Sequence, residues 1–275
     1  MNIKEKFLRF WRSDNEKISL IRDIIVALMA VLIVLLLLWT YTGQWFAAPM
    51  VAIESGSMEH DNSPFGRLGT IDAGDMVLVQ KVYTKGDLVT HGGNFGGASE
   101  KEDPNNFFYG DWGDVVIYKP MGRDDVSQII HRLMCWVDVN KYGEKTTYTI
   151  AEYGVFNETS ITISELGLQN SKPLWTHSGY LTMGDNNPHI DQKPGSSICP
   201  QPIKLSWISG KARLEIPWLG TINLFFEDLI SGKNTVSNVH EDSLICLGIV
   251  IVILVSIPII LDIKDYLKEK KNRSP

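Results

Sequence analysis

Cysteine is scarce in this chain, which has only Cys135, Cys199 and Cys246 among its 275 residues. There is no C-x-x-C motif, and no two histidines have the spacing of metal ligands, so neither a disulfide framework nor a zinc site is predicted. Cys246 lies inside an apolar run. A Cys135–Cys199 disulfide stays open as an alternative, because spacing alone does not fix the Cα separation that a disulfide needs.

Phosphate-binding loops and basic stripes are also missing. The sequence has no Walker motif, and its net charge of −6 disfavours binding to nucleic acid. A hydrophobic content of 44% excludes a disordered acidic tail. We therefore expect no metal ion, no other cofactor and no nucleic-acid partner.

Charge is unevenly distributed along the chain. Residues 1–23 carry six basic and four acidic side chains, and residues 262–275 carry five basic and three acidic ones. The segment between them has 15 basic and 25 acidic side chains. Two long apolar runs divide these segments, and a basic–acidic–basic chain interrupted in this way is typical of membrane proteins.

The first apolar run, residues 24–39, holds 16 apolar residues in succession. A membrane-spanning helix needs about 20 residues, so we predict a transmembrane helix over residues 24–46, with Trp39 and Trp45 at the outer interface. A cleaved signal peptide and a buried core helix are the alternatives. The length of the run and of the basic segment before it disfavours the first, and apolar character on every face disfavours the second.

The second apolar run, residues 244–261, has 18 residues and no charge. Its Pro258 is better tolerated in lipid than in water. Both termini are rich in Lys and Arg, whereas the middle segment offers only Arg67 and Lys233 near the two runs, so both termini are predicted to be cytoplasmic. The expected organisation of this multi-pass plasma-membrane protein is a cytoplasmic tail (1–23), a transmembrane helix (24–46), an extracytoplasmic domain (49–243), a second transmembrane helix (244–261) and a cytoplasmic tail (262–275).

The middle segment contains short runs of β-branched and aromatic residues between Gly, Asp and Pro. Gly74-Asp75 and Gly113-Asp114 mark turns before two of these runs. No clear amphipathic helix is found, so we expect a mainly β domain, either a barrel or a sandwich. The predicted strands cover residues 76–82, 115–118, 128–133, 146–150 and 179–182.

Two segments interrupt the strand pattern. Residues 84–113 contain seven glycines, and a loop of this length is usually functional or disordered. It could cover a substrate cleft or be a flexible surface excursion. Residues 151–176 are predicted to be a second irregular insertion, in which Asn157-Glu158-Thr159 is a glycosylation acceptor sequence if the segment lies outside the cell.

Three short segments carry residue types from which a nucleophilic site can be built. A serine hydroxyl becomes a good nucleophile at neutral pH when a histidine accepts its proton and a carboxylate orients that histidine. The sequence supplies a hydroxyl, an imidazole and two carboxylates in that order. The segments are Ser55-Gly56-Ser57-Met58, Ile130-His131-Arg132, and Gly184-Asp185-Asn186-Asn187 followed by Asp191.

Each segment also has a purely structural interpretation. A lone Ser-Gly-Ser is typical of a flexible turn, and a histidine in an apolar strand, such as His131, is usually a core residue. Asp185 lies in a run that favours a tight turn. The structural and the catalytic interpretations of this segment are compatible if Asp185 shapes the turn and Asp191 contacts the histidine. His60 and His189 remain minor candidates for the base.

The residues around Ser57 narrow the class of enzyme. Gly56 lets a substrate backbone approach closely, and Met58 offers apolar surface to lipid or to a substrate pocket. Residues 54–58 do not match G-x-S-x-G, which disfavours an α/β-hydrolase. Lys81, at a predicted strand end, keeps a serine–lysine pair open as an alternative.

Taken together, five segments in this order resemble the type I signal peptidases of the archaeal and endoplasmic-reticulum kind. The similarity covers most of residues 50–225, and residues 207–220 resemble the closing segment of the archaeal members. The matching segments are residues 55–59 (SGSME), 74–79 (GDMVLV), 113–118 (GDVVIY), 130–132 (IHR), and 184–187 (GDNN) with Asp191.

The resemblance implies a role for each matched residue. Ser57 matches the nucleophile, His131 stands where the bacterial enzymes carry a lysine, and Asp191 matches the acidic residue assigned to catalysis. Asp185 matches a second required aspartate. Ser55 matches a position whose hydroxyl helps to stabilise the oxyanion, a donor worth about 2.7–4 kcal/mol. The implied fold is a β-rich catalytic core beside the membrane.

Two positions depart from the family pattern. His60 occupies a position where many members carry proline, and Met183 precedes Gly184 where lysine is common. Neither change removes one of the matched catalytic groups. Because Met183 lies next to the Asp185 turn, the pH optimum need not be that of other members.

The predicted function is a membrane-bound serine endopeptidase that cleaves N-terminal signal peptides from exported preproteins. Its expected partners are these preproteins, the lipid bilayer and the export machinery. One alternative is a catalytically inactive, membrane-anchored binding or assembly subunit on the same fold, which would have no need of all three groups. The other is a serine–lysine enzyme with Lys81 as the base.

Overall fold

The computed structural model describes residues 2–13, 15–60, 68–95, 104–196 and 198–272. The chain forms two compact units, Met1–Pro49 and Met50–Pro275. The first is helical, and the second combines β-sheets with helices, the longest of which ends the described chain. The expected β-rich sheets and apolar terminal helices are present, although about 40% of the described residues are helical.

The first unit consists of helices α1 (Ile3–Trp11) and α2 (Glu16–Thr42). The Asn15 side chain caps α2 by accepting a hydrogen bond from the Lys17 N–H at 3.0 Å. With 27 residues, α2 is long and apolar enough to cross a bilayer. It begins and ends earlier than the predicted 24–46, because polar residues form its first turns and Gly43 stops it in a left-handed conformation.

The second candidate span begins near the end of the chain. Helix α5 (Glu241–Asn272) contains the predicted apolar segment 244–261 and runs through Pro258. Its part Glu241–Lys268 is long and apolar enough to span a membrane. The helix continues into the predicted tail, where six of the eight residues 264–271 are Lys, Glu or Leu, which are good helix formers.

One antiparallel sheet dominates the second unit, with two small hairpins beside it. The strands are β1 (Met50–Ala52), β2 (Met76–Gln80), β3 (Phe107–Phe108), β4 (Asp111–Trp112), β5 (Val115–Tyr118), β6 (Ile129–Tyr142), β7 (Lys145–Ile150), β8 (Val155–Glu158), β9 (Ile161–Ile163), β10 (Leu168–Ser171), β11 (Gly179–Met183) and β12 (Ile208–Ile216). The large sheet has the order β1-β2-β12-β5-β6-β7-β8, and β11 pairs with β6. Strands β3–β4 and β9–β10 form the hairpins.

All five predicted strands are confirmed as β2, β5, β6, β7 and β11, but the prediction missed the central strand β12. Its segment reads as polar because it contains Lys211, Arg213 and Glu215. Within the sheet, the Lys211 and Arg213 side chains lie 3.4 and 2.8 Å from the buried carboxylate of Asp114. Tertiary ion pairing, which a local pattern does not reveal, therefore lets this polar strand lie between β2 and β5.

The two insertions are more regular than expected. Residues 151–176 contain β8, β9 and β10, so the prediction of an irregular insertion is wrong. The described part of residues 84–113 holds helix α3 (His91–Phe95) and the β3–β4 hairpin. Residues 96–103 of the predicted loop lie outside the described residues.

A histidine joins the two insertions. His91 Nε2 lies 3.4 Å from Asp111 on β4, and its Nδ1 lies 3.2 Å from Glu165. Burial alone would lower the pKa of His91, but the hydrogen bonds and charges of Asp111 and Glu165 raise it to about 9. The imidazole is therefore charged at neutral pH and holds α3, the hairpin and the second insertion together.

The cysteines form no disulfide. Cys135 and Cys199 are buried free thiols in separate core clusters, and Cys246 is also free. Burial raises the pKa of both core thiols, which keeps them protonated and unreactive. The Cys135–Cys199 pairing that the sequence left open is thus excluded.

Candidate functional site

Ser57 lies in a short segment anchored by two buried neighbours. Residues 53–58 follow strand β1, and the side chains of Ile53 and Met58 are 2% and 1% exposed. The Ser57 carbonyl accepts a hydrogen bond from the Asn186 N–H at 3.0 Å, and Asn186 Nδ2 donates to the Gly56 carbonyl at 3.1 Å. The segment is therefore a fixed turn and not a flexible one.

Met58 does not line the cleft beside Ser57. Its side chain packs in a core cluster with Ile53, Ile71 and Val77. The predicted role of Met58 in substrate or lipid contact is therefore wrong. Because neighbouring side chains around Ser57 point to opposite sides of the chain, the Met58 side chain faces the core and anchors the turn there.

His131 lies on strand β6, opposite Val116 of β5, and is 3% exposed. Its Nε2 lies 3.0 Å from the Ser57 Oγ, and its Nδ1 lies 2.7 Å from the Asp191 Oδ2. A carboxylate only accepts hydrogen bonds, so Nδ1 carries the proton and Nε2 presents a lone pair to the serine hydroxyl. This tautomer suits removal of the Ser57 proton.

Asp191 is fully buried, and three donors converge on one of its oxygens. Besides His131 Nδ1, the Tyr118 hydroxyl and the Thr182 hydroxyl each donate to Oδ2 at 2.7 Å. The backbone N–H of Asp191 donates to the Thr182 carbonyl at 2.8 Å, which fixes the loop after β11. These contacts stabilise the negative charge and set the direction in which the carboxylate faces the imidazole.

Tyr118 and Thr182 are functional candidates that the sequence analysis missed. Tyr118 ends the segment 113–118, which was interpreted as a strand and as one of the matching segments, without a role for Tyr118 itself. Burial, followed by the nearby charge of Asp191, raises the pKa of Tyr118 well above its usual value, so it remains a neutral donor. The sequence feature that could have indicated Tyr118 was a hydroxyl-bearing residue at the end of an apolar strand.

Asp185 has different partners from Asp191. Arg132 Nε and Nη2 donate to its two oxygens at 2.8 and 2.5 Å, and His60 Nε2 lies 2.9 Å from Oδ2. Arg132 is fully buried and also donates to backbone carbonyls of the β3–β4 hairpin, including that of Phe108 at 3.0 Å. Asp185 thus neutralises a buried guanidinium and fixes the hairpin, and its side-chain partners are Arg132 and His60.

The other candidate bases lie elsewhere. The hydrogen bond with Asp185 has the largest effect on the pKa of His60 and raises it. The His189 Nδ1 contacts the Ile190 carbonyl at 3.2 Å. Lys81 is exposed, with its ammonium group 5.5 Å from the Tyr83 ring. Among the described residues, only His131 has a ring nitrogen within hydrogen-bond distance of the Ser57 Oγ.

Gly184 allows the turn that contains it to pack closely against Ser57 and His131. A Cβ atom at this position would lie 2.5 Å from the Ser57 carbonyl oxygen and 2.9 Å from the His131 Nε2. Any larger residue would therefore displace the serine or the histidine. In the sequence, Gly184 had no assigned role beyond the turn and the matching segment 184–187.

A cleft of about 690 Å³ opens beside Ser57 and His131. Strand β1 lines one side, residues 128–130 line another, and Ile117 lies between them. In the described part of the chain, β1 pairs only with β2, and the pairing of β11 with β6 begins at Arg132. Each side of the cleft thus offers a strand edge with free backbone groups, the arrangement that an added extended peptide requires.

Ser55 also lines this cleft. Its Oγ lies 3.5 Å from the Ser57 Oγ, and its side chain is exposed. The hydroxyl can therefore reach an oxygen atom bound next to Ser57. The oxyanion role of Ser55 that the resemblance implies stays a prediction.

The chain matches no protein-family model and no curated protein.

Proposed function

We propose that this protein is a membrane-bound serine endopeptidase. The observation that carries the proposal is the continuous chain of contacts from Ser57 through His131 to the buried Asp191, with separations of 3.0 and 2.7 Å. A nucleophile in contact with a base, which is itself oriented by a carboxylate, is the recurring arrangement of serine hydrolases. The open strand edges of the cleft favour an extended polypeptide as the substrate.

The reaction follows from the direction of the hydrogen bonds. Ser57 Oγ attacks the carbonyl carbon of the scissile bond while His131 Nε2 accepts its proton, a step in which a positioned base contributes about 10²–10⁴-fold. The Ser57 N–H and the Ser55 hydroxyl stabilise the oxyanion. Protonated His131 then gives its proton to the leaving amine, the C–N bond breaks, and an acyl-enzyme ester remains. Water attacks this ester with His131 again as the base, which releases the acid and restores Ser57.

The proposed substrates are exported preproteins, cleaved after their signal peptides. Two features support this choice: the resemblance of the motif segments to signal peptidases, and the two helices that are apolar and long enough to span a membrane. In this proposal both spans are transmembrane, both termini are cytoplasmic, and the catalytic domain lies outside the plasma membrane. In this proposal the cleft binds the segment around the cleavage point as an added extended strand.

Cleavage of a purified preprotein by the full-length protein in detergent tests the proposal. We expect a mature fragment, identified by mass spectrometry, and a loss of rate of about a thousandfold or more in Ser57→Ala and His131→Ala. Ser171→Ala and His177→Ala are matched controls at positions away from the cleft and should keep the wild-type rate. Full cleavage by Ser57→Ala or His131→Ala would disprove the assignment.

The same assay addresses the alternatives. A wild-type protein that binds preproteins but never cleaves them would favour the inactive binding subunit. A serine–lysine mechanism would require Lys81→Ala to abolish activity and to change the pH–rate profile. The exposed position of Lys81 and the contact between His131 and Ser57 favour the histidine mechanism.

A further inference from the structure

Helix α4 (Gly220–Ser231) exposes a continuous apolar face. Gly220, Thr221 and Leu224 are buried against the domain. Five large apolar side chains at helical spacing point away from it and are between 38% and 86% exposed. These residues, called the α4 stripe below, are Ile222, Phe225, Phe226, Leu229 and Ile230.

The two charged residues of α4, Glu227 and Asp228, form hydrogen bonds within the domain. The Glu227 carboxylate accepts a hydrogen bond from Lys233 Nζ at 2.7 Å. The Asp228 carboxylate accepts hydrogen bonds from the backbone N–H groups of Thr235 and Val236, both at 2.9 Å. The five side chains of the stripe are all apolar, which favours an apolar occupant over one that binds by charge complementarity.

The position of α4 is fixed relative to the start of α5. Helix α4 packs on β1 and on the turn at residues 235–238, and α5 begins at Glu241. Asn238 Nδ2 donates to the Glu54 carbonyl at 2.8 Å, and His240 Nε2 lies 3.0 Å from the Glu59 carboxylate. Ser243, in the first turn of α5, is 2% exposed. The helix that is apolar enough to enter a bilayer thus starts from a docked position close to α4.

We propose that the α4 stripe lies in the interfacial region of the same bilayer that α5 enters. A helix of 12 residues is about 18 Å long, too short to cross a hydrocarbon core of about 30 Å. With one wholly apolar face it is suited to lie in the plane of the interface. Asn223 and Glu227 of α4 line the cleft, so this contact holds the cleft against the lipid surface. The proposal depends on α5 entering the membrane and not on the hydrolytic assignment.

A lipid-quenching experiment on the full-length protein tests this contact. The background variant is Cys246→Ala, since the other two cysteines are buried. A fluorophore is attached to Phe226→Cys or Ile230→Cys, and to Phe156→Cys as a control, because Phe156 is 60% exposed and Phe226 is 56% exposed. Each protein is placed in nanodiscs of phosphatidylcholine with normal acyl chains or with bromine near the headgroup end of the acyl chains.

We expect the bromine to reduce emission about twofold at positions 226 and 230 and to leave position 156 unchanged. Equal behaviour of positions 226 and 156 would overturn the proposal. Protection of position 226 from aqueous iodide without bromolipid quenching would also overturn it, since a second copy or another protein would then cover the stripe. The readout is fluorescence quenching and not peptidase activity, so its result does not depend on whether the proposed function is correct.

Discussion

An alanine at position 184 would press on the nucleophile and the base at the same time. Its Cβ would lie 2.5 Å from the Ser57 carbonyl oxygen, whereas an ordinary contact begins at 3.4 Å. Either the Cβ or this carbonyl must therefore move by about 0.9 Å. The Ser57 carbonyl also accepts a hydrogen bond from the Asn186 N–H at 3.0 Å, so a shift of this carbonyl would strain that bond. The substitution therefore changes the site itself and not only the turn.

The size of the effect follows from this displacement. Overpacking of a rigid site costs about 1–3 kcal/mol of stability, and a shift of about 1 Å in reacting groups can cost about 100-fold in rate. We expect Gly184→Ala to lower kcat/KM for preprotein cleavage about 100-fold while the protein still melts cooperatively.

The control and the refuting result are both accessible. Gly86→Ala is the matched control, because a Cβ there meets only the Thr84 Oγ1 at an ordinary 3.7 Å. Rates are compared in detergent, and melting is followed by circular dichroism on the same samples. A Gly184→Ala enzyme with wild-type kcat/KM would refute the close packing of the Gly184 turn against Ser57 and His131.

Three further predictions concern the groups around the site. Tyr118→Phe removes one charge-assisted hydrogen bond to Asp191, worth about 1.5–3 kcal/mol, so kcat should fall at least about tenfold with KM unchanged, and an unchanged kcat would contradict this role. Asp185→Ala leaves the buried Arg132 guanidinium unpaired and should lower the free energy of unfolding by about 3–5 kcal/mol; an equal melting temperature would argue against the pair. The folded-state pKa of His91, about 9 against 6.5 when unfolded, stabilises the fold fully below pH 6.5, and this stability is lost as the pH rises through 9. Thermal melts across this range should therefore show a steeper decline for the wild type than for His91→Gln, and parallel curves would exclude the effect.

Local pattern was enough to predict the strands whose apolar residues face the core. Strands β5 and β7 show this most clearly, because their β-branched and aromatic runs are bounded by turn residues. Strand β12 and helix α4 were not predictable in the same way. Lys211 and Arg213 of β12 pair with Asp114, which lies about 100 residues earlier in the chain. Most of the large apolar residues of α4 lie on the outside of the domain and not in its core.

The candidate site shows the same division. The sequence identified Ser57, His131 and two aspartates, but it left open which carboxylate orients the imidazole. The fold decides this, since Asp191 contacts His131 while Asp185 is committed to Arg132. It also turns Met58 into the core and brings Tyr118 to Asp191, a separation of 73 residues in the chain.

The sequence by itself determined the two apolar helices, the main strands and the set of reactive groups, because these depend on residue type and on spacing over a few positions. Only the tertiary structure decided the pairing of those groups, since His131 is 74 residues from Ser57 and 60 from Asp191. Hydrogen bonds of 2.7 to 3.0 Å depend on how strands β5, β6 and β11 pack, and that packing is a property of the whole domain.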